Sequence, residues 1–113
     1  MTSTAQPTGL TRIDLQQHDL SIPGREMIQN RVEIDPDAPA IRHWHPGEEI
    51  IYVIEGLLEY EIDGRPPETV SAGGALMVPA ETVHAVRNVG DGIATELATY
   101  VVEKDKPLLN LAD

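Results

Sequence analysis

The chain has no cysteine and no phenylalanine, only four aromatic rings of the Trp/Tyr type, and 8 basic residues against 19 acidic ones. Each shortage removes a class of explanation. Without cysteine there are no disulfides and no thiolate metal ligands. With Trp44, Tyr52, Tyr60 and Tyr100 as its only large rings, the core must be aliphatic. A net charge of −11 repels phosphate backbones, so nucleic acid is not an expected partner. No apolar run approaches membrane-spanning length, and the opening "MTSTAQPTGL" lacks the basic-then-apolar pattern of a leader. The expectation is no membrane and a cytoplasmic location. At 113 residues there is room for one domain and no fused DNA-binding module. Residues 1–9, small and polar, are expected to be disordered, with a single domain over 10–113.

What the chain does have is a succession of short alternating runs. "LTRIDL" (10–15) reads as an edge strand, followed by a turn at "SIPGRE" (21–26). "MIQNRVEI" (27–34) places Ile28, Val32 and Ile34 on one face, with Asn30 pointing inward among them. After "DPDAP" (35–39), "EEIIYVIEG" (48–56) and "LLEYEIDG" (57–64) are separated by little more than Gly56 and read as an antiparallel pair. "ALMVP" (75–79), "TVHAVRNV" (82–89) and "TELATYVVE" (95–103) complete the strands, and "KPLLNLAD" is a short helix or a packed tail. Nine glycines and nine prolines are scattered between these runs, and no convincing 3.6-residue period precedes the tail. The fold class is therefore all-β, a sandwich or barrel.

Four histidines are present, and two of them stand one residue apart in "HWHPGEE". Residues two apart in a strand project from the same face, so His43 and His45 point together while Trp44 faces away. Glu49 opens the following strand on the face of Ile51 and Val53. His84 begins another apolar strand far along the chain. Neutral imidazole is a common transition-metal ligand, and a carboxylate adds negative charge for a divalent cation. His18, in "QQHDL", has no such company and reads as a surface loop residue.

On these residues the chain resembles a small single-domain cupin, a double-stranded β-helix or jelly-roll barrel. The family's first motif, G-x5-H-x-H-x3/4-E-x6-G, is met by His43, His45, Glu49 and Gly56, with Asp37 in place of the leading glycine. The second, G-x5-P-x-G-x2-H-x3-N, is met by Gly73, Pro79, His84 and Asn88, with Glu81 in place of the middle glycine. Glutamate fits a left-handed turn less readily than aspartate, so the departure at Glu81 is the sharper one. The phrases "HWHPGEEIIYVIEG" and "LATYVVEK" are most similar to the quercetin-dioxygenase-like branch. The resemblance implies that His43, His45, Glu49 and His84 ligate one divalent transition metal per chain, whether Fe, Mn, Ni, Cu or Zn. It also implies a homodimer.

Three imidazoles and one carboxylate on a divalent ion leave a net charge of roughly +1 and, in an octahedral arrangement, two open positions. The favoured expectation is dioxygenase-type oxidation of a small enolic or phenolic compound. Alternatives are an isomerase, decarboxylase or lyase using Lewis-acid chemistry, and a non-catalytic binding or sensor cupin. Glu49 is the candidate catalytic residue, with burial expected to raise its basicity. Strand alternation names Asn30, Ile51, Tyr60, Met77, Val86, Leu97 and Thr99 as walls of a small-molecule pocket. Asn88 reads as a strand anchor.

Overall fold

In the computed structural model, which describes residues 9–112, the alternating runs fold into ten strands and no helix. They are β1 (Leu10–Asp19), β2 (Arg25–Ile34), β3 (His43–Trp44), β4 (Gly47–Glu55), β5 (Leu57–Ile62), β6 (Glu68–Ser71), β7 (Ala75–Val78), β8 (His84–Asn88), β9 (Ala94–Glu103) and β10 (Asn110–Leu111). Two five-stranded antiparallel sheets face each other, one ordered β1-β2-β9-β4-β7 and the other β10-β3-β8-β5-β6. Inward residues of both sheets make the aliphatic core: Val32, Ile34, Ile51, Val53, Leu58, Ile62, Val70 and Val78 are all buried. This is the all-β jelly roll expected from the sequence. No helix among the described residues is long and apolar enough to cross a membrane.

The connection at Gly56 differs from the expected hairpin. β4 pairs with β7 and β9, whereas β5 pairs with β6 and β8, so the two runs lie in opposite sheets. One intervening residue is too short for a hairpin, whose tightest common loop has two. The chain instead turns a corner at Gly56, where φ is +86° and a Cβ would stand 2.7 Å from the backbone of Ala94. Only glycine satisfies both conditions. β8 and β9 likewise belong to different sheets.

The ends also differ from the sequence reading. The tail forms β10 on β3, pairing Leu111 with His43, and is not helical. His18 lies in β1, which runs beyond residue 15, and is exposed there. Residues 1–8 of the expected disordered start lie outside the described residues. Gly9 is placed in a turn, its carbonyl accepting from the Asp35 amide at 2.8 Å.

Candidate metal centre

Register brings the four expected ligands together. His43 stands opposite His84 across β3 and β8, and Glu49 enters from the facing sheet, where it pairs with Tyr100. The ring centroids of His43, His45 and His84 lie 4.3–5.1 Å apart. One ligand atom from each of His43, His45, Glu49 and His84 falls within 4.8 Å of all the others. Three of the four are buried, and His43 is half-buried.

Backbone carbonyls set the orientation of each ring. The Nδ1 atoms of His43, His45 and His84 lie 2.7, 2.8 and 2.9 Å from the carbonyl oxygens of Ile41, Leu108 and Thr82. A carbonyl only accepts, so each Nδ1 carries the proton and donates it, which leaves each Nε2 with a free lone pair directed inward. Glu49 Oε1 sits 3.0 Å from His84 Nε2 and 3.2 Å from His45 Nε2. With their protons on Nδ1, these contacts set lone pair against lone pair. His45 Nε2, although near Glu49, has no hydrogen-bond partner in this buried place. Convergent acceptors with an orphaned nitrogen are what a cation would satisfy, and all four side chains fit that role.

The charges respond to the same geometry. Burial dominates at His43 and, with the nearby His84 and His45, lowers its pKa to about 4, so the ring is a neutral ligand at neutral pH. At Glu49 burial is the largest influence and pushes upward, as expected, but contacts with His45 and His84 together outweigh it and hold the carboxyl at about 2. The expected gain in basicity therefore does not appear, because the imidazoles favour the carboxylate. His84 is also desolvated, which lowers its pKa, yet a second proton on its Nε2 would be donated to Glu49, and that carries the net shift upward; a cation would take the place of this proton.

A cavity of ≈ 100 Å³ adjoins the cluster, lined by His43, Glu49 and His84 together with Ile51, Tyr60 and Val86 from the expected wall. The remaining wall candidates lie elsewhere. Asn30 is buried, but it lines a neighbouring cleft with Asp14 and Leu108. Met77, Leu97 and Thr99 are on the outer face: they pair with Ile50, Tyr52 and Ile50 respectively, and both partners are exposed. Directly opposed residues share a face of the sheet, so these three cannot reach the interior. In β9 the inward set is Glu96, Ala98, Tyr100 and Val102. Strand alternation alone had placed Leu97 and Thr99 inward, a slip of one residue that exchanges the faces.

That slip concealed two wall residues. Tyr100 packs its ring against His45 at 4.7 Å between centroids. Glu96 is 5% exposed and accepts a 2.5 Å hydrogen bond from the Tyr60 hydroxyl. The sign available in the sequence was a glutamate inside an otherwise uncharged run, "TELATYVV". Asn88 is the anchor expected of it. Its Nδ2 donates to the carbonyls of Ile34 and Gly92 at 2.8 Å each, and its Oδ1 accepts from the Gly90 amide at 2.8 Å. Glu81 adopts φ +59° despite its side chain, and its amide donates to the carbonyl of His45 at 3.0 Å. The left-handed turn of the motif is thus kept without glycine.

A jelly roll that gathers three histidines and one glutamate in this way is the architecture of the cupins, and the chain belongs to that family: residues 30–102 match the model of the cupin domain. Among curated proteins it is 48% identical over 74 residues to "Polyketide synthase CurC" of Streptomyces cyaneus, a match covering 63% of this chain and 46% of CurC. The chain thus spans about half the length of that relative. Among solved structures, a cupin-like protein from Thermotoga maritima superposes with a TM-score of 0.73 at 18% identity, over 91% of this chain and 75% of that one. Oxalate oxidase in complex with the substrate analogue glycolate gives 0.72 at 25% identity, over 98% of this chain and 59% of that one.

Proposed function

We propose that the chain is a metal-dependent cupin enzyme acting on the enolate or phenolate form of a small oxygen compound. The observation that carries this reading is the orphaned Nε2 of His45 inside a ring of acceptor atoms beside a cavity. A divalent cation there supplies positive charge for an enolate or phenolate oxygen and, if redox-active, electron-transfer chemistry as well. His43, His45, His84 and Glu49 hold it, their rings fixed by the carbonyls behind them. Aliphatic walls such as Ile51 and Val86 exclude water from the ligand layer. The cavity is small: ≈ 100 Å³ is below the about 150 Å³ of an apolar cavity that holds benzene, so it admits the edge of a ring or the end of a longer chain.

Two chemistries suit such a site. The likeness to a polyketide synthase supports enolate chemistry without oxygen, because polyketide chains are enolisable carbonyl compounds. The likeness to oxalate oxidase across nearly the whole chain supports the oxygen-dependent, dioxygenase-like reading. The test is elemental analysis of the protein as purified, followed by incubation of metal-loaded protein with 1,3-diketones and catechols, with and without dioxygen. Product formed under argon supports proton-transfer chemistry; product accompanied by oxygen uptake supports oxidation. Binding without turnover in either atmosphere would make the protein a binding module. Replacing Glu49 with Gln, with metal content followed alongside turnover, separates a ligand role from a chemical one: full turnover at full metal content removes Glu49 from both.

The assembly we propose is a homodimer. Ile50, Tyr52, Ile54 and Met77 are each 42–47% exposed, and all lie on β4 and β7 of one sheet. An apolar stripe of this kind suits a second copy of the same surface. Light scattering on wild type and Tyr52→Glu tests it, and a monomeric wild type at micromolar concentration rejects it.

A further inference from the structure

We propose that Glu96 and the Tyr60 hydroxyl form a second oxygen-binding station in the cavity wall, so that the site takes compounds bearing two oxygen functions, one for the metal centre and one for this pair. This rests on the reading of the cluster as a metal centre that binds substrate oxygen.

Topology places the station. Glu96, Ala98 and Tyr100 project inward in succession from β9, opposite Val53, Ile51 and Glu49 of β4. Glu96 is therefore four residues from the ligand layer, about 13 Å of backbone at roughly 3.3 Å per residue. Between them stands Ala98, fully buried and contributing only a methyl group. From the other sheet Tyr60, opposite Val86, crosses the gap and meets Glu96. Both side chains line the same cavity as His43, Glu49 and His84. The polar groups thus gather at two levels, with the aliphatic Ile51 and Val86 bordering the space.

Packing alone does not account for the pair. Glu96 stands between Val32 and Val53 on the neighbouring strands, and a further valine or leucine at position 96 would avoid burying a carboxyl altogether. Burial, followed by the negative charge of Glu49, pushes the Glu96 carboxyl up to about 8, with the bond from Tyr60 pulling the other way. A carboxyl in that condition donates as well as accepts, and so recognises either a hydroxyl or a carbonyl. Arg12, from β1, lines the same wall and adds positive charge. The substrate class that fits carries two separated oxygen functions on one ring or one short chain, as in a resorcinol or a β-dicarbonyl compound.

The experiment uses cobalt-loaded protein titrated with phenol and with resorcinol, read from the visible absorption of the cobalt and by calorimetry. Wild type is expected to bind resorcinol at least tenfold more tightly than phenol. Tyr60→Phe and Glu96→Leu should bring the two affinities to within about twofold while cobalt content stays as in wild type. Equal affinities in wild type, or a preference that survives in both variants, would overturn the second station and leave the metal centre standing. If neither compound disturbs the cobalt spectrum, the reading of the metal centre fails and takes this inference with it. Should Glu96→Leu not fold, Tyr60→Phe decides, because it removes one oxygen from a residue whose ring remains.

Discussion

Removal of one imidazole from the cluster gives a quantitative test of the site. His45 is the residue to change, because its Nε2 is the buried atom without a partner and its ring is held from behind by the Leu108 carbonyl. For the wild type, a cation at a hundred times its dissociation constant adds about 2.7 kcal/mol of stability. With an unfolding entropy of about 2.1 cal/mol/K per residue over roughly 105 ordered residues, that raises the melting temperature by about 12 °C. A four-ligand site of this kind binds with about 10–16 kcal/mol in total, so one ligand carries roughly 3 kcal/mol. Losing it weakens binding by about 150-fold, and the same cation concentration then adds only about 0.3 kcal/mol, a shift of about 1–2 °C. The assay is a thermal melt of chelator-treated protein, wild type and His45→Ala, titrated with cobalt or zinc. Each protein is compared with its own metal-free melt, which cancels the cavity left by the substitution. His18→Ala, an exposed change outside the cluster, serves as the control and should shift as wild type does. Equal shifts in His45→Ala and wild type would refute the argument, since the cation would then be held elsewhere.

Other predictions follow from single interactions. In metal-free protein Glu49 is ionised down to about 2, below its ordinary 4.5, so its contribution to stability is present above pH 4.5 and lost as pH falls toward 2. Glu96 is shifted the other way, to about 8, so its contribution is present below pH 4.5 and lost as pH rises through 8. Urea melts across pH 3–9 should show both slopes, and Glu96→Gln should flatten the alkaline one alone. Asn88→Ala strips partners from the carbonyls of Ile34 and Gly92 and from the Gly90 amide, and should destabilise by about 2–4 kcal/mol in urea melts. Glu81→Gly should stabilise by up to about 1 kcal/mol, the relief of a left-handed residue (about 1–2 kcal/mol) less the added freedom of the unfolded chain. A melt lower than wild type would show that the Glu81 side chain contributes more than its backbone strain removes.

The candidate ligand cluster was legible because its signal is local. Alternation in "HWH" puts two rings on one face whatever surrounds them, and motif spacing carries Glu49 and His84 to the same place. The longer strands were legible for the same reason, whereas β6 and β10 were not. Strand partnership was not, since the sheet in which a run lands depends on the corner at Gly56 and on pairings with strands some forty residues away, such as β4 with β9. The pocket wall failed at β9, where Leu97, Thr99 and Val101 make as good an apolar face as Ala98, Tyr100 and Val102. Only the opposite strand decides between them, through Glu49 against Tyr100. The role of the tail was likewise invisible, because a backbone acceptor carries no side-chain signature.

The bond from His45 to the Leu108 carbonyl spans 63 positions of sequence, and it dictates an order of events. All four candidate ligands are added to the growing chain before residue 108. Until then the His45 ring can rotate and carry its proton on either nitrogen, and a cation arriving early meets a donor that has not been aimed. The aim of the His45 ring therefore waits for the segment around Leu108 to dock, and a protease that trims the chain ahead of Pro107 would keep all four candidate ligands in the chain while removing both the acceptor behind His45 and the β10 partner of His43.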